Sequence, residues 1–279
     1  MAEKILNGKV AVVTGAGGVL CSAFAEALAA AGAKVALLDL NEEAAKAAAA
    51  KITADGGIAK GYAANVLDKA ALEAVHGEIV KDLGKCDILI NGAGGNSPRC
   101  TTAHEYYQEG DELTDEFKTF FNLEKSDFDF VFSLNIMGTL LPTQVFAKDM
   151  LGNDGTIINI SSMNAFTPLT KIPAYSAAKS GVSNFTQWLA VHFAKAGIRV
   201  NAIAPGFFAT KQNAALLFNE DGSPTPRTGK ILAATPMGRF GKPEELLGTL
   251  MWLCDSSASG FVTGVVVPVD GGFSAYSGV

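Results

Sequence analysis

The sequence is poor in charged residues and in cysteine. Only 18% of its 279 residues are charged, 4 are cysteines, and 22 Lys+Arg against 28 Asp+Glu leave a net charge of -6. Without an excess of cations there is no broad basic field to attract nucleic acid or an anionic membrane. Hydrophobic residues, by contrast, reach 48%, enough for a substantial core. We therefore expect a globular protein that does not bind nucleic acid.

Long hydrophobic runs are also missing. The most apolar stretches are Val10 to Val13, Leu250 to Leu253 and Val265 to Val269, well below the ~18 residues of a membrane span. The N-terminal stretch lacks the apolar centre of a signal peptide. The cysteines show neither short paired spacing nor the density of a disulfide scaffold: Cys21, Cys86, Cys100 and Cys254. We expect a reduced, cytoplasmic protein without membrane contact or a structural metal.

Short β-branched runs alternate with stretches of helical periodicity. Seven runs predict strands: Lys9 to Thr14, Lys34 to Asp39, Ala59 to Asn65, Asp87 to Asn91, Thr156 to Ser161, Arg199 to Ala204 and Val265 to Pro268. Six stretches predict helices: Leu20 to Ala31, Glu42 to Ala54, Lys69 to Leu83, Asp127 to Leu151, Ala174 to Ala196 and Pro243 to Asp255. This alternation predicts one α/β domain over residues 1–279, a doubly wound Rossmann-type fold with seven parallel strands and helices on both faces.

Two connections are too long for simple turns between a strand and a helix. The first, Gly95 to Lys125, is rich in acidic and aromatic residues, and the second, Pro205 to Lys242, contains the sequence GSPTPRTG. Long loops in compact domains are usually functional. We expect an inserted segment at about 95–125 and a substrate loop at about 205–242.

The first predicted strand leads into a glycine-rich turn. Gly15, Gly17 and Gly18 lie between this strand and the next helix, whose first residues are Val19 and Leu20. Glycines let the backbone approach a pyrophosphate, and the N–H groups of a helix N-terminus favour its charge. A turn that binds no ligand could use the same glycines.

The second predicted strand ends on Asp39, 24 residues beyond Gly15. An acid at this distance can accept hydrogen bonds from the adenosine ribose and repels a 2'-phosphate. The pair of signals therefore favours NAD(H) over NADP(H) as the cofactor. Alternatively, Asp39 caps the helix that starts near Glu42, although Asn41 stands closer to that helix.

The motif Tyr175-Ser-Ala-Ala-Lys179, with Ser162 thirteen residues before the tyrosine, resembles the short-chain dehydrogenase/reductase family. The resemblance covers essentially the whole chain and includes TGAGG at 14–18, the NGAG after the fourth strand and DGG at 270–272. It implies that further residues hold the NAD cofactor: Asn65, Val66, Asn91, Ala93, Tyr175, Lys179, Pro205, Phe208 and Thr210.

The phosphate turn departs from the family pattern, which has glycines where this chain has Val19 and Cys21. Two explanations are open. Either the turn is remodelled so that Gly18 makes the close approach, or Val19 offers only its N–H while the small Cys21 tolerates contact between helix and strand.

Carbonyl reduction by NADH needs a proton donor and groups that polarise the carbonyl. The resemblance implies that Tyr175 supplies the proton, Ser162 bonds the substrate oxygen, Lys179 holds the ribose and Asn135 anchors a water. Tyr175 and Lys179 are four residues apart and share one helix face. Two unit charges ~5 Å apart at an effective dielectric of ~20 interact by roughly 3 kcal/mol. We therefore expect the Lys179 ammonium to lower the pKa of the Tyr175 phenol. Ser161 is expected to point the other way along the strand.

Wider stretches resemble a subgroup that acts on sugar acids, the D-mannonate oxidoreductases or fructuronate reductases. Such a substrate needs a cation for its carboxylate and amides for its hydroxyls, and the loops offer these candidates: Arg99, Asn164, Lys171, Lys211, Gln212, Asn213 and Arg227. The resemblance also implies a homotetramer. Two other functions stay open: reduction of another carbonyl, such as a 3-ketoacyl thioester or a precursor of a polyol, and NAD binding without catalysis.

Overall fold

The computed structural model describes residues 4–209 and 217–278. Seven strands form one parallel sheet in the order β3-β2-β1-β4-β5-β6-β7. Their bounds are Val10–Thr14 (β1), Lys34–Asp39 (β2), Ile58–Ala63 (β3), Ile88–Asn91 (β4), Thr156–Ile160 (β5), Arg199–Pro205 (β6) and Val266–Val269 (β7). The order runs outward in both directions from β1 and β4, which confirms the doubly wound fold. Ligands of such sheets bind at this switch point, beyond the carboxyl ends of the strands.

The helices of the described part have the following bounds: Val19–Ala30 (α1), Glu42–Ala54 (α2), Lys69–Asp82 (α3), Lys125–Phe132 (α4), Gly138–Met150 (α5), Pro173–Phe193 (α6), Pro226–Ala233 (α7), Leu247–Cys254 (α8) and Ser256–Ser259 (α9). The single helix expected at 127–151 is divided, because a π-helical turn at Ser133–Met137 separates α4 from α5. Helix α7 was not expected within the second long connection. Thr225 caps it and Pro226 begins it, so a sequence that resembles a loop contains a helix start.

Alternate residues of each central strand enter two different cores, one on each face of the sheet. Ala11 and Val13 of β1 pack with helices α1 and α8, whereas Val10 and Val12 pack toward α3, α5 and α6. All four side chains are buried. Burial on both faces is the physical reason why this strand is continuously apolar.

One helical stretch is long and apolar enough to cross a membrane, although the short apolar runs in the sequence predicted no membrane span. This stretch, Lys125–Met150, comprises α4, the π turn and α5, and half of its most apolar window is buried inside the domain. Phe146 and Met150 of α5 are fully buried in the core beneath the sheet. Packing within the domain thus accounts for its apolar composition.

Candidate active site

A cleft of about 620 Å³ opens where β1, β2, β4, β5 and β6 end. The turn after β1, Asp39 at the end of β2, and the loop after β4 border one part of it. Ser162, Tyr175 and Lys179 border the other part. The topology therefore brings the expected cofactor residues and three of the four expected catalytic residues to one cleft.

The turns after β1 and β4 pack backbone against backbone. The Thr14 hydroxyl accepts hydrogen bonds from the N–H groups of Gly92 and Ala93, at 3.1 and 3.2 Å. Gly15 has φ +67°, and a Cβ there would lie 2.9 Å from the Cα and N of Ala93. Both its conformation and this close approach require glycine.

Helix α1 begins at the floor of the cleft without a side-chain cap. Gly18 is the N-cap residue in an extended conformation, and it bonds back to the Gly15 carbonyl at 3.0 Å. Val19 and Leu20 supply the first helical turn and border the cleft. Free N–H groups at such a turn, together with the helix dipole, suit a pyrophosphate.

Asp39 is held against this turn. One carboxylate oxygen accepts from the Gly17 N–H and the other from the Asn41 N–H, both at 2.9 Å. Asn41 is the residue that caps α2, through Ala44 N at 3.2 Å. The alternative in which Asp39 caps this helix is therefore wrong. Among the described residues that border the cleft, Lys179 is the single Lys or Arg.

Cys21 is accommodated by Gly92 on the neighbouring loop. A Cβ at position 92 would lie 2.2 Å from the Cys21 sulfur and 3.7 Å from the Cys21 Cβ. Of the two explanations for the altered turn, the structure supports the one in which the small Cys21 tolerates the contact, with Gly92 providing the space. Burial raises the pKa of this thiol to about 12.

We expect Gly92→Ala to lower the free energy of unfolding by about 1–3 kcal/mol, because the new methyl group overlaps the Cys21 sulfur. Adding Cys21→Ala should restore the part of that loss caused by the sulfur, since the Cys21 Cβ lies at an ordinary 3.7 Å; the close approach of 2.8 Å to the Thr14 carbonyl oxygen would remain. Urea unfolding of both single variants and the double variant measures the coupling. Additive losses would show that the two positions do not depend on each other.

The side chains of Tyr175, Lys179 and Ser162 converge at the far end of the cleft. The Lys179 ammonium donates to the Ile160 carbonyl at 2.7 Å and lies 5.7 Å from the centre of the Tyr175 ring. Gly94 makes room for this lysine, since a Cβ there would lie 3.1 Å from Nζ. The Ser162 hydroxyl lies close enough to the Tyr175 phenol to lower its pKa. The arrangement places a proton donor, a hydroxyl and a cation around one space.

Burial controls the protonation of both titratable groups. It lowers the pKa of Lys179 to about 8. It raises the pKa of Tyr175, and the nearby Ser162 hydroxyl opposes this rise. The expected lowering by Lys179 is therefore wrong for this arrangement, because removal of the phenol from water raises its pKa and the opposing effect comes from Ser162 instead of the ammonium. A phenol that stays protonated at neutral pH is suited to donate a proton.

Asn135 acts on the loop after β4. Its amide nitrogen donates to the carbonyls of Gly95 and Val131, both at 2.8 Å, and its amide oxygen accepts from Gly95 N at 3.2 Å. It lies within the π-helical turn between α4 and α5. Asn135 itself does not border the cleft, whereas its neighbour Leu134 does. These hydrogen bonds hold the backbone of the loop after β4 in place beside Lys179.

The Ser161 hydroxyl faces helix α6, as predicted from strand alternation. It donates to the Lys179 carbonyl at 3.2 Å and bonds to the Ser183 hydroxyl at 2.7 Å. This serine therefore anchors the helix that carries Tyr175, and Ser162 is the one available for the substrate.

The sequence pattern of the short chain dehydrogenases matches residues 9–220. The chain belongs to the short-chain dehydrogenase family. An uncharacterised oxidoreductase of Haemophilus influenzae is 62% identical over 275 residues, covering 98% of this chain and 96% of that protein. The uncharacterised oxidoreductase UxuB of Bacillus subtilis is 56% identical over 275 residues, covering 98% of both.

A solved structure from Haemophilus influenza resembles this dehydrogenase over its whole length. The TM-score is 0.94 and the identity 61%, covering 98% of each chain. That protein, provisionally assigned as a D-mannonate oxidoreductase, holds bound NAD. Together with the cleft geometry, this likeness makes the present dehydrogenase an NAD-dependent oxidoreductase.

Most of the expected cofactor residues of the dehydrogenase border the cleft. They are Gly15, Gly17, Gly18, Val19, Leu20, Asp39, Asn65, Val66, Ala93, Tyr175, Lys179 and Pro205. The cleft fits a dinucleotide, since it combines an uncapped helix start, glycine backbone and an acid for the ribose. Thr210 lies outside the described residues.

Two expected cofactor residues are placed elsewhere. The Asn91 side chain is buried and donates to Thr143 Oγ1 at 2.9 Å and Asn159 Oδ1 at 2.8 Å, tying β4 to α5 and β5. The Phe208 ring packs against Gly241, where a Cβ would lie 2.4 Å from it, and borders a neighbouring cavity. Sequence order places both residues at strand ends, but it does not show which way their side chains point.

The expected substrate residues lie in different parts of the structure, and some lie outside the described residues. Arg99 does not border the cleft: its Nε lies 3.3 Å from the Asp127 carboxylate and its guanidinium lies over the Phe130 ring. Asn164 is buried beside Ser162, and its side-chain oxygen has no hydrogen-bond partner among the described residues. Lys171 borders a second cavity, described below. Lys211, Gln212 and Asn213 lie outside the described residues.

The cleft is also bordered by residues that the sequence did not identify as cofactor, catalytic or substrate residues. They are Cys21, Leu40, Asn41, Ala44, Ala64, Gly92, Gly94, Leu134, Ile160, Ser161 and Gly206. Most contribute apolar surface or backbone, which carries no chemical signature in a sequence. The one available signal was their position just after a strand end or an already suspected residue.

Proposed function

We propose that this dehydrogenase transfers hydride between NAD(H) and a sugar acid, most specifically between D-fructuronate and D-mannonate. The observation that carries this proposal is the 61% identity, over 98% of each chain, to a protein provisionally assigned as a D-mannonate oxidoreductase. The residues around Ser162 and Tyr175 supply chemistry that suits such a carbonyl.

In the reductive direction the carbonyl carbon gains the hydride that NADH supplies, and the carbonyl oxygen gains a proton. Tyr175 donates that proton, because burial keeps its phenol protonated at neutral pH. Ser162, which borders the cleft beside the phenol, donates to the same developing oxyanion. Lys179, charged below its pKa of about 8, stabilises the phenolate that remains.

Asp39 underlies a proposed preference for NAD(H) over NADP(H). Its carboxylate would meet a 2'-phosphate as a like charge. We expect Asp39→Ala to narrow the ratio of kcat/KM for the two cofactors, and Leu40→Arg added to it to narrow the ratio further. Leu40 is 78% exposed, so an arginine fits there and offers a bidentate phosphate contact. Equal kcat/KM for both cofactors in the wild type would contradict this assignment.

We expect D-fructuronate to be reduced far faster than neutral D-fructose. A charge-assisted contact to the carboxylate is worth roughly 1.5 to 3 kcal/mol, about ten- to a hundredfold in kcat/KM. Oxidation of NADH followed by absorbance, with both sugars and acetoacetyl thioester, makes the comparison. Equal rates would refute the sugar-acid assignment, while NADH binding without any reduction would identify a silent cofactor sensor.

We also propose a homotetramer in the cytoplasm. Large apolar side chains are exposed on α6, where Trp188 is 56% and Val191 80% exposed, and on α8, where Trp252 is 40% exposed. Apolar surface of this kind is typical of contacts between subunits. The four cysteines are buried and unpaired, which suits a reducing compartment. Light scattering measures the assembly directly.

A further inference from the structure

A second cavity, of about 350 Å³, lies beneath the inserted segment. Its walls include the aromatic rings of Tyr106, Tyr107, Phe120 and Phe121. Pro173, two residues before Tyr175, also borders it, so the cavity lies at the start of the catalytic helix. A small pocket with apolar walls and a few polar groups at its rim is the usual form of a small-molecule site.

Cations from two separate parts of the chain gather at this cavity around one carboxylate. Glu105, in the inserted segment, accepts a hydrogen bond from Lys230 of α7 at 2.8 Å. Lys230 lowers the pKa of Glu105, and the charges of Lys171 and Arg227 contribute to this effect. Lys171 and Glu105 both border the cavity. Arg227 lies three residues before Lys230 on the same face of α7, so this side of the helix carries two cations, and Lys171 is a third at the cavity.

The other acid at the cavity is already engaged. Asp111 bonds to the His104 ring at 2.9 Å and accepts from the Gln108 N–H at 3.1 Å. Lys171 is held in position by its backbone, which has φ +72° and whose carbonyl accepts from Thr102 N at 2.9 Å. A left-handed backbone at a lysine persists only where its surroundings fix it. The cluster thus has more positive charge than Glu105 neutralises, and the backbone that carries Lys171 is fixed beside the cavity.

We propose that Lys171, Arg227 and Lys230 form a docking site for the carboxylate of a polyhydroxy acid, and that Glu105 is an internal competitor for the same cations. The aromatic walls contact the carbon chain of the acid, and the cations pair with its carboxylate. This inference rests on the proposed sugar-acid function and names the residues that give it charge selectivity. It assigns selectivity to this cluster, since Arg99 is paired with Asp127.

The test removes the negative charge of the Glu105–Lys230 ion pair in one variant and its positive charge in another. Glu105→Gln removes the competing charge and should lower the KM for D-fructuronate about threefold to fivefold, a size typical of exposed charge pairs. Lys230→Met and Arg227→Met should each raise it by a similar factor, with kcat within twofold of the wild type. If the ion pair were only a structural bridge, Glu105→Gln and Lys230→Met would change KM in the same direction, which would overturn the proposal.

The pair formed by Glu26 and Lys51 is a matched control. It has the same 2.8 Å separation, and the exposed fractions are 62% for Lys51 and 34% for Glu26, against 67% for Lys230 and 35% for Glu105. Glu26→Gln and Lys51→Met should leave KM unchanged. Raising NaCl from about 50 to 300 mM should raise the wild-type KM and shrink the differences among the cluster variants, because salt screens exposed charges.

Binding without turnover separates this inference from the proposed reaction. Calorimetry with the NAD complex compares D-mannonate with D-mannitol, which lacks the carboxylate. Preferential binding of mannonate that Glu105→Gln strengthens and Lys230→Met weakens supports the site, even if the enzyme fails to reduce fructuronate. Reduction of fructuronate with KM unaffected by either variant would overturn the site and leave the proposed function standing.

Discussion

Tyr175→Phe is expected to lower kcat for carbonyl reduction by about 10²- to 10⁴-fold, the usual contribution of a general acid. The substitution removes only the phenolic hydroxyl, so the ring still fills its place between Ser162 and Lys179. Affinity for NADH, measured by fluorescence titration, should therefore stay within about twofold of the wild type.

Tyr62→Phe is the matched control for that experiment. Tyr62 is a buried tyrosine whose hydroxyl bonds to the Asp82 carboxylate at 2.9 Å, and it lies on β3 outside the cleft-lining residues. Loss of the Tyr62 hydroxyl should lower the free energy of unfolding and leave kcat unchanged. If Tyr175→Phe keeps more than about a hundredth of the wild-type kcat, another group donates the proton.

Lys179→Met should impair both catalysis and the binding of NADH. It removes the cation that stabilises the phenolate and, as the family resemblance implies, a contact to the nicotinamide ribose. We expect a loss in kcat at least as large as that of Tyr175→Phe, together with weaker NADH binding. Unchanged NADH affinity would limit Lys179 to its role beside Tyr175.

The pH profile gives an independent test of Lys179. Its folded pKa of about 8 lies below the ordinary value of 10.5, because burial disfavours the charge. The ammonium is present below pH 8 and is lost above it, so the reductive kcat/KM should fall as the pH rises through about 8. Lys179→Arg, whose charge persists, should remove this break. A wild-type profile that is flat between about pH 7 and 9.5 would contradict the shifted pKa.

The sequence by itself determined the fold and the order of the catalytic groups. β1 reads Val10-Ala-Val-Val-Thr14 because both faces of the strand are buried, and this apolar run predicts a covered parallel strand. The spacing of Tyr175 and Lys179 predicts one helix face because the helical repeat is local. The glycine turn and Asp39 indicated the cofactor for the same reason: each signal lies in a few consecutive residues.

Only the tertiary structure decided the contacts between distant segments. Gly92 accommodates Cys21, Asp127 pairs with Arg99, and Asn91 bonds to Thr143 and Asn159 instead of bordering the cleft. No local pattern fixes these contacts, since each depends on how separate elements pack. The same holds for protonation: the pKa of Tyr175 is raised because its phenol is buried, and burial is a property of the folded chain alone.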